Sequence, residues 1–111
     1  KILGTNKLPL EYYQDDKHVI VTVKRTANNP YPVFVKYGAG IVLKDYTYTK
    51  GVINTGLIGA GEVRLDIISE KKPKIKAGGK QVKVEYDDQS KLGYIKLTLD
   101  PKKELDVAIM N

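Results

Sequence analysis

Between Pro73 and Met110 the chain alternates apolar and polar residues over several successive segments, with turn residues between them. Val82, Val84 and Tyr86 fall on one parity, and Gln81, Lys83 and Glu85 on the other. Ile95, Leu97 and Leu99 repeat the pattern, as do Leu105, Val107 and Ile109. Successive side chains of an extended strand point to opposite faces, so a period of two specifies strands with one buried and one wet side. Such a sheet is a packing device, and no catalytic residue set is written on it.

The rest of the chain reads the same way. Leu8 to Tyr13 is a short extended segment with Pro9 at its start, followed by the polar turn Gln14-Asp15-Asp16-Lys17. His18 to Lys24 is a strand with Val19, Val21 and Val23 toward the core. Thr26 to Pro32 is a loop held by Pro30 and Pro32, and Val33 to Tyr37 is the next strand. Gly38-Ala39-Gly40 breaks the chain before a strand over Ile41 to Tyr48. Lys50-Gly51 is a turn, Val52 to Ile58 a further strand, and Gly59-Ala60-Gly61 precedes Glu62 to Ser69. Strands at 74–77, 80–86, 93–99 and 104–110 complete the chain. No segment holds apolar residues at helical spacing. The expected fold is a single all-β domain over residues 1–111, an antiparallel β-sandwich, immunoglobulin-like, of about nine short strands.

Composition narrows the function classes. With no cysteine, the 111 residues have no disulfide, thiolate metal site or thiol nucleophile. No apolar run is long enough to span a bilayer, and the start of the chain lacks the apolar centre of a signal peptide. Residue 1 is Lys, from which we expect a processed chain or a piece of a longer polypeptide. The net charge is +6, carried by 17 Lys and only 2 Arg. Arginine is the preferred bidentate reader of phosphate and base edges, so this balance speaks against nucleic acid.

Few residues offer chemistry. The only histidine, His18, lies on the parity opposite the three valines and reads as an exposed strand-edge residue without a catalytic partner. The acid pairs Asp15/Asp16 and Asp87/Asp88 resemble neither a calcium loop nor separated glycosidase acids, and aspartate is a favoured turn residue. The three glycine groups precede strands, whereas a phosphate cradle leads into a helix. Gly78-Gly79 reads instead as a tight hairpin turn at positive φ. Lys71, Lys72, Lys74, Lys76, Lys80 and Lys83 form a basic stretch, yet they alternate with Ile75, Val82 and Val84 as a solvated sheet face requires. Tyr46 and Tyr48 share one parity and are the candidate ligand-stacking pair, with cross-strand tyrosine packing as the competing reading. No metal or cofactor is expected.

Lys74-Ile75-Lys76, the Gly78-Gly79-Lys80 turn, Val82-Lys83-Val84-Glu85-Tyr86 and, after an acidic loop, Gly93-Tyr94-Ile95-Lys96-Leu97-Thr98-Leu99 carry a family likeness. This text, about a third of the chain, resembles the terminal β-sandwich domain of glycoside hydrolases of the α-galactosidase and raffinose-synthase type. The opening from Leu3-Gly4-Thr5 to Val23 is similar to closing β-domains of fucosidases. The resemblance implies an accessory domain packed against a catalytic barrel, and no family catalytic residue maps onto this sequence. We therefore expect a non-catalytic module of a carbohydrate-active or other extracytoplasmic multidomain protein, extracellular or at the cell surface. Its partner would be a neighbouring domain or subunit, with carbohydrate as a further ligand. Two alternatives stay open: a structural or adhesive immunoglobulin-like domain of a surface layer, filament or virion, and a basic nucleic-acid-binding barrel.

Overall fold

Turn chemistry decides which strands pair, and the parity of the apolar residues decides which side they bury. The computed structural model describes residues 2–5, 10–23 and 33–110. Its strands are, in chain order, β1 (Ile2–Thr5), β2 (Leu10–Gln14), β3 (His18–Val23), β4 (Val33–Gly38), β5 (Val42–Thr49), β6 (Val52–Ile58), β7 (Gly61–Ile68), β8 (Lys74–Ala77), β9 (Lys80–Val82), β10 (Glu85–Asp87), β11 (Leu92–Leu99) and β12 (Leu105–Met110). The described residues contain no helix, and so none that could cross a membrane. Pro9 and the proline-held loop from Thr26 to Pro32 lie outside the described residues.

Two six-stranded sheets form a sandwich. The first has the order β1-β5-β6-β12-β8-β9, and the second β10-β11-β7-β4-β3-β2. All neighbours are antiparallel except β1 and β5, which run parallel. That exception follows from connectivity: between β1 and β5 the chain crosses to the second sheet and lays down β2, β3 and β4, so no hairpin constrains their direction.

Gly78 (φ 58°) and Gly79 (φ 81°) close the β8–β9 hairpin. A two-residue turn of the primed type requires positive φ at both central positions, which glycine adopts without a side-chain clash. Lys50 (φ 52°) and Gly51 (φ 82°) make the same turn between β5 and β6.

The expected strand over 80–86 is broken. Residues 80–82 belong to the first sheet and 85–87 to the second, with Lys83 and Val84 crossing between them. The alternation survives the crossing because Val84, at the corner, is itself buried between the layers. With this break and the added β1, the ten extended segments named from the sequence become twelve strands, against the nine or so expected.

One core fills the space between the sheets. Val19, Val21, Val23, Val35, Leu65, Ile67, Ile95 and Leu97 enter it from the second sheet, and Leu43, Ile53, Leu57, Ile75, Val107 and Ile109 from the first. Fully burying one such side chain contributes about 1.5–3 kcal/mol. Tyr37 on β4 and Tyr46 on β5 meet across the layers. Their hydroxyls are 2.8 Å apart and their rings pack edge to face with centroids 6.0 Å apart.

Tyr46 reaches the core through a β-bulge. The β5–β6 register shifts between Lys44 and Thr47, and Asp45 takes a positive φ of 52°. Lys44 and Asp45 both face outward, so the inward parity changes from Leu43 to Tyr46. Buried Thr55, on the facing strand, satisfies its hydroxyl by donating to the Lys44 carbonyl at 3.2 Å.

Candidate functional site

In the second sheet β3, β4, β7 and β11 fill the core with odd-numbered residues. The even-numbered residues of β3, β4, β7 and β11 face away from the first sheet, and a wet face ordinarily carries polar side chains there. Here it carries Ile20, Phe34, Ile68, Leu92 and Tyr94. Register places them side by side. Leu92 faces Ile68, Ile68 faces Phe34, and Phe34 faces Thr22. In the adjacent row, Tyr94 faces Asp66, Asp66 faces Lys36, Lys36 faces Ile20, and Ile20 faces Tyr13. The result is an open groove of about 540 Å³ lined by the apolar five together with Lys36, Arg64 and Asp66, while Thr22 and Tyr13 lie outside it. Ile68 and Leu92 remain 44% and 51% exposed, although they lie in the interior and on the second strand of a sheet.

Charged groups organise one margin of the groove. Arg64 and Asp66 are two apart on β7 and so share its outer side. The Arg64 Nε–H donates to Asp66 Oδ1 at 2.9 Å, and its guanidinium carbon sits 3.8 Å above the Tyr94 ring centre. Lys36 Nζ approaches the other carboxylate oxygen of Asp66 at 3.9 Å. One carboxylate thus serves two cations, and Lys96 stands opposite Arg64 in the register. Partly exposed pairs of this kind contribute only about 0–1 kcal/mol to folding. Their consequence is an apolar groove with an arginine fixed over a tyrosine ring, and Glu85 and Asp87 of β10 stand beside Tyr94 and Leu92 in the register. Aromatic rings and arginine are enriched in protein-docking surfaces, and a contiguous exposed apolar patch marks an interaction site.

The residues singled out from sequence fall elsewhere. Tyr46 and Tyr48 do share a side, but it is the inner one. Tyr46 is fully buried and bonded to Tyr37, so its ring offers no face for a ligand, and Tyr48 packs against the core. Burial holds the Tyr37 phenol well above its usual range and raises Tyr46 likewise.

The lysines divide. Lys72, Lys74 and Lys83 line a shallow depression of about 390 Å³ beside Val82 and Val84, where Lys83 pairs with Glu85 at 3.3 Å. Lys76 instead joins Lys44, Asp45, Glu104 and Asp106 in a polar groove of mixed sign on the outer face of the first sheet. Lys80 is exposed on the edge strand β9, and Lys71 is exposed in the crossing before β8. The six are dispersed over a turn, an edge and two depressions, without forming one stripe.

The acid pairs build turns. Asp15 Oδ1 accepts from the backbone N–H of Lys17 at 2.8 Å and of His18 at 2.7 Å. These bonds stabilise the charged form and lower its pKa. Asp87 accepts from the Gln89 N–H at 3.0 Å and the Ser90 hydroxyl at 2.9 Å, with the same effect. Lys91, at a φ of 63°, closes that turn, and its ammonium lies 3.3 Å from Asp88. His18 begins β3 half-buried opposite Gly38. Among the described residues no group of His, Asp and Glu is placed to hold a metal ion.

No protein family, curated protein or solved structure matches the chain. The groove is therefore read from its own side chains. Sequence reasoning passed over it, although a signal was present. Ile67-Ile68 puts two apolar residues in succession on one strand, and Leu92 and Tyr94 take the parity opposite Ile95 and Leu97. An apolar residue on wet parity, repeated in four strands, marks a second surface seeking cover.

Proposed function

We propose that this chain is a non-catalytic, immunoglobulin-like β-sandwich module that packs the outer face of its second sheet against a neighbouring domain or subunit. The observation that carries the reading is the cross-strand row Leu92, Ile68 and Phe34, apolar where the sheet faces solvent. Charges of both signs border the groove, Lys36, Arg64 and Asp66 on one margin and Glu85 and Asp87 beside Tyr94 and Leu92, so the complementary surface is apolar at its centre with a polar rim. Tyr94 is ill suited to sugar stacking because Arg64 covers its ring.

The resemblance of the tail to glycoside-hydrolase accessory domains supports a carbohydrate-active or other extracytoplasmic parent, extracellular or at the cell surface. In that setting the catalytic acids lie on another domain, and this module stabilises it. The basic-barrel reading loses its support with the dispersal of the lysines.

The experiment compares affinity purification from the source cells using the wild-type chain and the Ile68→Asp/Leu92→Asp double variant. Both sites are partly exposed, so the variant is expected to fold with a near-normal melt. The expected result is a defined partner retained by the wild type and lost by the variant. Equal retention by both contradicts the assignment, as does a gene neighbourhood encoding no further domain or partner.

A further inference from the structure

Two rows of side chains cross the centre of the outer face of the second sheet. In one, Ile68 on β7 faces Phe34 on β4, and in the next Asp66 on β7 faces Lys36 on β4. Leu92 and Tyr94 continue the rows on β11, and Thr22 and Ile20 continue them on β3. An acid and a base thus stand side by side next to an apolar pair. The Lys36 ammonium and the second carboxylate oxygen of Asp66 keep bonding capacity. They stay 3.9 Å apart, beyond hydrogen-bond length, and the two side chains remain 43% and 36% exposed.

Resting on the docking role proposed above, we infer that the occupant of this face is a second copy of the chain, packed sheet against sheet about a two-fold axis that runs along the strands between β4 and β7. That axis lays β7 of each copy over β4 of the other. Ile68 then meets the second copy's Phe34, and Asp66 meets its Lys36, each contact being made twice by symmetry. Tyr94 and Leu92 come over the second copy's Ile20 and Thr22. Sheets packed face to face cross at about 30°, so this opposition is tightest at the axis, between β4 and β7. The other two-fold arrangements of the same faces fail. An axis along β7 opposes two Asp66 carboxylates, and one along β4 opposes two Lys36 ammonium groups. An axis across the strands through their row does both. An axis across the strands between the two rows sets Asp66 on Ile68 and Lys36 on Phe34, which takes charges out of water without partners. Like charges set opposite each other cost affinity, whereas complementary ones fix the register. One axis thus matches acid to base and apolar to apolar at once. That self-complementarity selects a second copy over a foreign surface, which would have to supply the same pattern independently.

Sedimentation of the isolated chain from micromolar to millimolar concentration is expected to show a monomer–dimer equilibrium that Ile68→Asp/Leu92→Asp abolishes. Lys36→Glu leaves two acids in the charged row and Asp66→Lys leaves two bases, so each alone is expected to weaken self-association by about tenfold or more. Mixed in equal amounts, the two variants are expected to form a heterodimer within about tenfold of the wild-type affinity, because each acidic row then faces a basic one. A merely structural role of either side chain would give no such regain, and a thermal melt checks that each variant is folded. A wild type that stays monomeric throughout overturns the inference, and leaves the docking role standing where affinity purification still retains a different protein on this face. A dimer that persists in Ile68→Asp/Leu92→Asp overturns the inference as well, and so do folded variants that fail to associate when mixed. The docking role fails separately, when the wild type and Ile68→Asp/Leu92→Asp retain the same partner equally.

Discussion

Removing one hydroxyl from the buried tyrosine pair should cost more than removing both. Tyr37 and Tyr46 are each fully buried, and among the described residues the only hydroxyl partner of each is the other, at 2.8 Å. Tyr37→Phe keeps the ring and its edge-to-face contact, so no cavity forms. It strands the Tyr46 hydroxyl between the sheets, and an unsatisfied buried polar group costs about 1–3 kcal/mol. Tyr46→Phe strands Tyr37 in the same way. The double variant loses one hydrogen bond but buries no orphan, and replacing both partners with apolar groups of like shape is nearly neutral. The double-mutant cycle should thus give a coupling of about 2–6 kcal/mol, the sum of the two single losses. Each single variant should melt roughly 5–15 °C below the wild type, with the double variant within a few degrees of it. Thermal melts followed by circular dichroism, with urea titration as a second measure, provide the numbers. Single-variant losses that simply add in the double variant, within about 0.5 kcal/mol, refute the account of the pair.

Three further outcomes follow. Both phenols of the pair have folded pKa values raised by burial, so the stability they lend is complete below the unfolded value near 10 and declines as pH rises above it. Absorbance titration should therefore leave two tyrosines silent until the protein unfolds in alkali, and Tyr37→Phe/Tyr46→Phe should abolish that silent fraction. Asp87 has a lowered folded pKa, so its contribution is present above the ordinary carboxylate value and lost as pH falls through the folded one. Asp87→Asn should flatten the acid limb of a melting-temperature profile below the ordinary carboxylate value near about pH 4. Gly79→Ala places a side chain at a φ of 81° and should cost about 1–2 kcal/mol in urea denaturation, although no atom blocks the added carbon.

Much of the sandwich was legible because period-two alternation is a strong signal wherever one face is buried. Val19, Val21 and Val23 and the run Ile95, Leu97 and Leu99 all lie in the core. The turns at Lys50-Gly51 and Gly78-Gly79 were legible for the same local reason, a demand for positive φ. The hidden features were those that alternation does not encode. A chain that crosses from one sheet to the other at Lys83-Val84 keeps its parity, so the break between β9 and β10 leaves no mark in the pattern. The bulge at Asp45 shifts parity by one residue, and only the buried position of Tyr46 exposes it. The groove is encoded by the even-numbered apolar residues of strands whose cores are odd, a pattern that alternation within any one strand does not display.

The central claim is that the outer face of the second sheet, and not that of the first, meets the partner. A photo-cross-linking benzoylphenylalanine placed at Leu92 tests it most directly, with the same group at exposed Asn54 on the opposite face as control. In the source cells, position 92 is expected to give an adduct of one defined mass that disappears with Ile68→Asp, while position 54 gives none. Adducts from position 54 alone, or from position 92 regardless of Ile68→Asp, contradict the account.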